Sequence, residues 1–162
     1  GGVDSASNED IELAMSRLNT LNESESGYEV ADVKKQLQTC MQTYFGVFRR
    51  GEFMEKGVKE LEEIREKSEN LYLKDKSLAF NTNRVEALEL QNLLEVADAT
   101  AISAMMRDES RGAHARDDFP DRDDENWLCH SLYDPVEKKL GKRDVNFVPK
   151  EVEAFPPKMR SY

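Results

Sequence analysis

The chain has 162 residues, 38% hydrophobic and 35% charged, and a formal net charge of −10. That excess of carboxylates argues against non-specific nucleic-acid binding, which needs Lys and Arg to release counterions, and against adhesion to anionic lipid. No apolar run approaches the ~20 residues of a membrane helix, no signal peptide is legible, and two cysteines give neither a disulfide framework nor metal-ligand spacing.

Residues 1–27 read as a short N-terminal helix and a polar linker. Ser7 or Asn8 supplies the cap, Ile11, Ala14, Met15, Leu18 and Leu21 share one face, and Asn22–Gly27 is the linker. Residues 28–106 read as an antiparallel three-helix bundle. In the first of its helices Val30, Val33, Leu37, Cys40, Met41, Tyr44 and Phe48 recur at steps of three and four. Arg49 and Arg50 suit its C-terminal dipole, Gly51 suits the cap that follows, and Cys40 is expected to be a small buried hydrophobe. The next helix spans about Glu52–Tyr72, with Met54, Val58, Leu61, Ile64 and Leu71 inward and Glu62, Glu63, Glu66 and Lys67 solvated. The last opens at an Asn83 cap with Glu86 completing a capping box, and runs to about Met106. Its apolar residues leave little of the circumference polar, which marks it as the buried centre of the bundle.

Residues 107–162 break the pattern. Arg107–Trp127 carries twelve charged residues with Gly112 and Pro120 and fits neither a helical nor a strand period. A long loop of this kind is usually functional, and its irregular aromatic residues, Phe119 and Trp127, set it apart from low-complexity sequence. A small β-hairpin follows, with strands expected at Trp127–Tyr133 and Val145–Val148 and Gly141 in the turn. The tail Phe155-Pro156-Pro157 is expected to be extended. The bundle and these residues are expected to form one compact unit, so the fold class is mainly α.

Few residues invite chemistry. Cys129 and His130 adjoin on a strand and therefore point to opposite faces. The acids Asp117, Asp118, Asp121, Asp123, Asp124 and Glu125 do not follow the calcium-loop spacing, and Arg116 and Arg122 stand among them as counter-ions. His114 sits among arginines and carboxylates that can tune its protonation. Arg111 presents a planar fork suited to a carboxylate or to carbonyl oxygens, within the chain or across an interface.

The run Glu109-Ser110-Arg111-Gly112-Ala113-His114, with Arg116, Asp118 and Pro120, resembles the ESRGxHxRxDxP signature of the succinate dehydrogenase and fumarate reductase flavoproteins. The continuation Asp121-Arg122-Asp123-Asp124-Glu125-Asn126-Trp127-Leu128 resembles the bacterial succinate dehydrogenase type. Further similarity lies in Phe80-Asn81-Thr82, in Leu88–Leu93 and in the terminal Pro156–Tyr162, so that it covers about residues 33–162. L-aspartate oxidases carry a similar ESRG run without the Asn126-Trp127-Leu128 continuation.

The resemblance implies the C-terminal helical domain of a flavoprotein subunit. That subunit would oxidise succinate to fumarate with FAD and pass electrons through an iron–sulfur subunit to quinone, in a complex held by membrane-anchor subunits at the cytoplasmic face of the inner membrane. No GxGxxG turn between a strand and a helix is present to hold a dinucleotide, so no cofactor is expected in this chain. No catalytic or metal-binding residue is carried over. Glu109, Arg111, His114, Arg116 and Asp118 are expected to dock the domain onto the flavin-binding domain, and to be only partly satisfied without it. The readings that compete are a fumarate reductase flavoprotein domain and a non-enzymatic acidic helical adaptor.

Overall fold

The structure is a computed structural model that describes residues 5–158; Gly1-Gly2 and the terminal Met159–Tyr162 lie outside the described residues. The protein is mainly α, with four helices and three small pairs of strands among the described residues. Helix α1 is Asn8–Glu23, α2 Val30–Phe45, α3 Gly51–Ser68 and α4 Thr82–Met106. Strands β1 (Tyr28–Glu29) and β3 (Leu71–Tyr72) pair in parallel, as do β2 (Phe48–Arg49) and β4 (Ala115–Arg116), whereas β5 (Cys129–Asp134) and β6 (Lys139–Asp144) form an antiparallel hairpin. No helix among the described residues is long and apolar enough to cross a membrane.

The chain divides into two compact units. The first comprises the residues through Thr39 together with Glu60–Glu95. Its core is Val30, Val33 and Leu37 from α2, Leu61 and Ile64 from α3, Leu71 and Leu73 beyond it, and Ala87, Leu90 and Leu94 from α4. Side-chain pairs tie these helices together: Lys67 to Gln36 (2.7 Å), Arg65 to Glu95 (2.8 Å) and Lys34 to Glu86 (3.5 Å). Helix α1 opens with a capping box in which Ser7 and Asp10 satisfy each other's backbone N–H. Of its five expected inward residues only Leu21 is buried, and Ile11 and Met15 lie half exposed.

The second unit comprises Cys40–Lys59 and the residues from Val96 onward. Cys40 is buried as expected, with its Sγ 3.5 Å from the Gly57 carbonyl. Glycine is required at 57, because a Cβ there would stand 2.5 Å from the Phe45 ring and 2.6 Å from Tyr44 Cβ.

Several boundaries depart from the periodic reading. Helix α2 stops at Phe45, three residues before the expected Phe48, because Phe48 and Arg49 leave to form β2. Gly51 is not a cap for α2 but the first residue of α3. Helix α3 ends at Ser68, since Leu71 and Tyr72 pair with β1. Asn81, not Asn83, caps α4: its side-chain oxygen accepts from the Arg84 N–H at 3.0 Å. In the hairpin the second strand is 139–144, so Gly141 pairs with Leu132 and Val145–Val148 lie beyond it. An exposed two-stranded ribbon buries no face, so no apolar alternation marked its register.

Helix α4 shows the largest departure. Ala87, Leu90, Leu94, Ala97, Ala101 and Ala104 are buried, but Val85, Leu93, Val96 and Met106 are 44–64% exposed. The helix is apolar nearly all round, yet it is covered on one side.

Candidate functional site

The charged loop folds onto the second unit as a set of nested hydrogen bonds. At its centre is Glu109, whose side chain is 0% exposed. Its Oε1 accepts from Arg107 Nη1 and from Arg111 Nε (2.8 Å), and its Oε2 accepts from Arg111 Nη2 (3.0 Å) and the Asp123 backbone N–H (2.8 Å). Burial alone would raise the Glu109 pKa; the donors from Arg111, Arg107 and Asp123 outweigh it and hold the carboxyl below its ordinary range. The Arg111 fork also reaches Asp124 Oδ1 at 2.6 Å, and its pKa is raised chiefly by its bonds to Glu109. Arg107 donates onward to the Trp127 and Cys129 carbonyls and lies 5.2 Å from the centre of the Trp127 ring.

A second centre forms around Arg116, 3% exposed. Its Nε and Nη2 clasp the two oxygens of Asp118, each at 2.7 Å, and its Nη1 donates to the Met105 and Arg107 carbonyls at 3.2 Å. The guanidinium thus caps the carbonyl end of α4, where a cation is favoured. Asp118 Oδ2 in turn accepts from the Gly51 N–H at 2.8 Å, which places a carboxylate at the amide end of α3. The Arg116 clasp, and then the Gly51 amide, hold the Asp118 pKa far below its ordinary value.

His114 links the loop to β2. Arg49 Nη1 lies 2.8 Å from His114 Nδ1, and His114 Nε2 lies 3.1 Å from the Arg107 carbonyl. Arginine can only donate, so Nδ1 must be bare and Nε2 carries the hydrogen. Burial lowers the His114 pKa first; the Arg107 carbonyl opposes this, while Arg49, Arg116 and Arg107 as cations reinforce it. Arg49 also donates to the Phe45 and Gly46 carbonyls, serving the C-terminal end of α2 as its position suggested.

The tip of the loop is bare. Arg111 and His114 exchange backbone hydrogen bonds of 2.8 and 3.0 Å, so Gly112 and Ala113 form a two-residue turn. Gly112 has φ of +59°, and nothing lies within 4 Å of where its Cβ would stand. Glycine is needed there for backbone conformation rather than for room. Phe48, 77% exposed, stands beside this turn at the edge of a groove that Arg111, Gly112 and Pro120 also line.

Residues 34–162 match the family described as the fumarate reductase flavoprotein C-terminal region. The chain belongs to this family. It is 41% identical over 152 residues to the succinate dehydrogenase flavoprotein subunit of Coxiella burnetii, covering 94% of this chain and 26% of that protein. It is 40% identical over 163 residues to the corresponding subunit of Rickettsia bellii, covering 96% and 27%. Among solved structures, a quinol fumarate reductase chain of E. coli superposes with a TM-score of 0.78 at 30% identity, covering 96% of this chain and 27% of that one. The chain therefore spans about a quarter of the length of the relatives it matches.

For this flavoprotein family's signature, the structure brings all five expected residues, Glu109, Arg111, His114, Arg116 and Asp118, into one loop fold. It does not leave them partly satisfied. Glu109 and Arg111 form the internal pair, and Arg116 is saturated within the chain. The acids divide likewise among cations: Asp117 pairs with Arg50, Asp118 with Arg116, and Asp124 with Arg111 and Arg122. Sequence reading missed Arg107 as a second partner of Glu109, Arg49 as the partner of His114, and the Gly51 amide as the seat of Asp118. Arg49 and Gly51 come from distant sequence, and no spacing signals them. The ESRG run itself was the one available pointer.

Proposed function

We propose that the chain is the C-terminal helical domain of a succinate dehydrogenase flavoprotein subunit. In this reading the full subunit takes two electrons and two protons from succinate, giving fumarate, with FAD as acceptor. The electrons then pass through an iron–sulfur subunit to quinone, and the complex is held by anchor subunits at the cytoplasmic face of the inner membrane. The domain itself supports and docks onto the flavin-binding domain. Its residues offer no dinucleotide cradle: among the described residues the parallel strand pairs are two residues long, and the Gly51 amide, where β2 leads into α3, is taken by Asp118.

The observation that carries the docking reading is α4. A helix apolar nearly all round belongs inside a protein, yet Val85, Leu93, Val96 and Met106 are about half exposed in a chain one quarter the length of its relatives. Glu109, Arg111, His114, Arg116 and Asp118 act here as the rigid base of a docking loop, and the bare Gly112–Ala113 turn is its presented tip. Within the first unit we infer that α2, α3 and α4 run antiparallel in succession. The Lys67–Gln36 pair joins the end of α3 to the start of α2, and Lys34–Glu86 joins the two helix starts. The layout we infer is a short helix and polar linker through residue 27, a helical bundle over 28–106, and the signature loop, β-hairpin and tail over 107–162.

The test is the full-length subunit with and without residues 28–162. Loss of flavin retention and of succinate-dependent dye reduction on deletion supports the reading, and full retention of both defeats it. The fumarate reductase reading is favoured by the likeness to the E. coli chain. Faster quinol-dependent fumarate reduction than succinate oxidation by the assembled complex would select it.

A further inference from the structure

Ahead of α4, the segment Asp75–Arg84 is tied down at its base and bare at its tip. Asn81, buried, donates to the Asp75 and Ser77 carbonyls at 2.8 and 3.1 Å and caps α4 with its oxygen. Asp75 accepts from the Ser77 N–H and hydroxyl. Arg84 donates to the Lys76 and Ser77 carbonyls and to Asn22, while Lys76 donates to the Leu21 and Ser24 carbonyls. From that fixed base Leu78 projects 85% exposed and Phe80 is fully exposed, at 103%.

Phe80 also has φ of +54°. A bulky residue in the left-handed region is an outlier that persists only where the surroundings over-determine it. The strain here serves no internal packing, because the ring touches nothing the domain needs to bury. Large apolar side chains held rigidly in water by a strained backbone are the form of an interface anchor, since their ordering cost is met before binding.

We propose that Leu78 and Phe80 form an apolar knob that seats in an apolar recess on the part of the subunit that precedes this domain. The proposal rests on the docking reading above and gives it a contact site far along the chain from the charged loop. The occupant follows from length: about three quarters of each matched relative lies outside the region this chain covers, and the matched family is a C-terminal one. Val85 and Leu93 on α4 of the same unit await cover as well. A second copy suits the knob poorly. A groove of that unit is lined chiefly by Arg17, Arg65, Glu69, Gln91, Asn92 and Glu95, which offer charges and amides to an aromatic ring.

The experiment places a photo-reactive benzoylphenylalanine at Phe80, and separately at Ala113 of the charged loop, in the full-length subunit, and maps the cross-linked peptides. A cross-link from position 80 to the preceding part of the same polypeptide is expected. A link to a second copy, to another subunit, or to nothing overturns the knob. If position 113 links to the preceding part and position 80 does not, the knob fails while the docking reading stands; if neither links, both fail. In the same subunit, Leu78→Ser with Phe80→Ser should increase flavin loss on gel filtration by roughly tenfold or more, the factor that burial of one large apolar side chain corresponds to. Unchanged flavin retention would also overturn it.

Discussion

His114 is neutral in the folded chain because Arg49 occupies Nδ1 as a donor, and this fixes a pH dependence. Its folded pKa lies below the ordinary 6.5, so the unfolded chain takes up a proton first. The stability it contributes is fully present above that value and is lost as pH falls through it towards the folded pKa. The urea midpoint should therefore be lower at pH 5.5 than at pH 7.5, and in His114→Gln that part of the fall should disappear. The Glu109 and Asp118 carboxyls act in a lower window, since both are held below their ordinary 4.5 and 3.8. Glu109→Ala should cost ~3–5 kcal/mol, because it strands Arg107 and Arg111 without their buried partner. Arg111→Ala leaves Arg107 and the Asp123 amide on Glu109 and should cost less, ~1–3 kcal/mol. A midpoint unchanged by Arg111→Ala would mean that the pair is not formed in solution. Phe80→Asn should raise stability by ~0.5–1 kcal/mol, since Asn accepts the left-handed backbone and no buried contact is given up.

Among the elements, Leu94 is buried on α4 and Glu62 is solvated on α3. Leu94→Ala should cost ~2–5 kcal/mol and Glu62→Ala no more than ~0.5 kcal/mol, as compared by denaturant midpoints. The β5–β6 hairpin, with no face buried, should exchange its amide hydrogens well before α4 does. Helices were legible because burial repeats every three or four residues: Val30, Val33, Leu37 and Cys40 trace it without help. Where strands of two residues intervene, periodicity carries nothing, since Phe48 and Leu71 continue the helical stripe in sequence while their backbones pair elsewhere. The Asn83 cap failed for a related reason: Asn81 and Asn83 are equally good caps in isolation, and bonds from Asn81 to Asp75 and Ser77 decide between them. Of the site, the signature residues were legible, but their partners Arg49, Gly51 and Arg107 were not. Hydrogen bonds between residues 65 or 67 apart, as for Arg49 and Gly51, leave no local pattern.

For the molecule as a whole, we expect this chain alone to emerge from gel filtration colourless after incubation with FAD; yellow protein would place a flavin site here after all. The uncovered side of α4 and the bare Leu78–Phe80 tip predict that it binds apolar dyes more strongly than the full-length subunit does. The two parallel rungs have a consequence for how the chain reaches this state. Pairing Phe48 with Ala115 and Tyr28 with Leu71 closes long loops through contacts of two residues each. Loop closure grows costlier only logarithmically with length, so such rungs weigh little at equilibrium. Kinetically they come late, because the closure must be made before so few contacts can reward it. The helices should therefore assemble first and the charged loop lock last. Substitutions at Arg49 or Asp118 should accelerate unfolding while leaving the refolding rate almost unchanged.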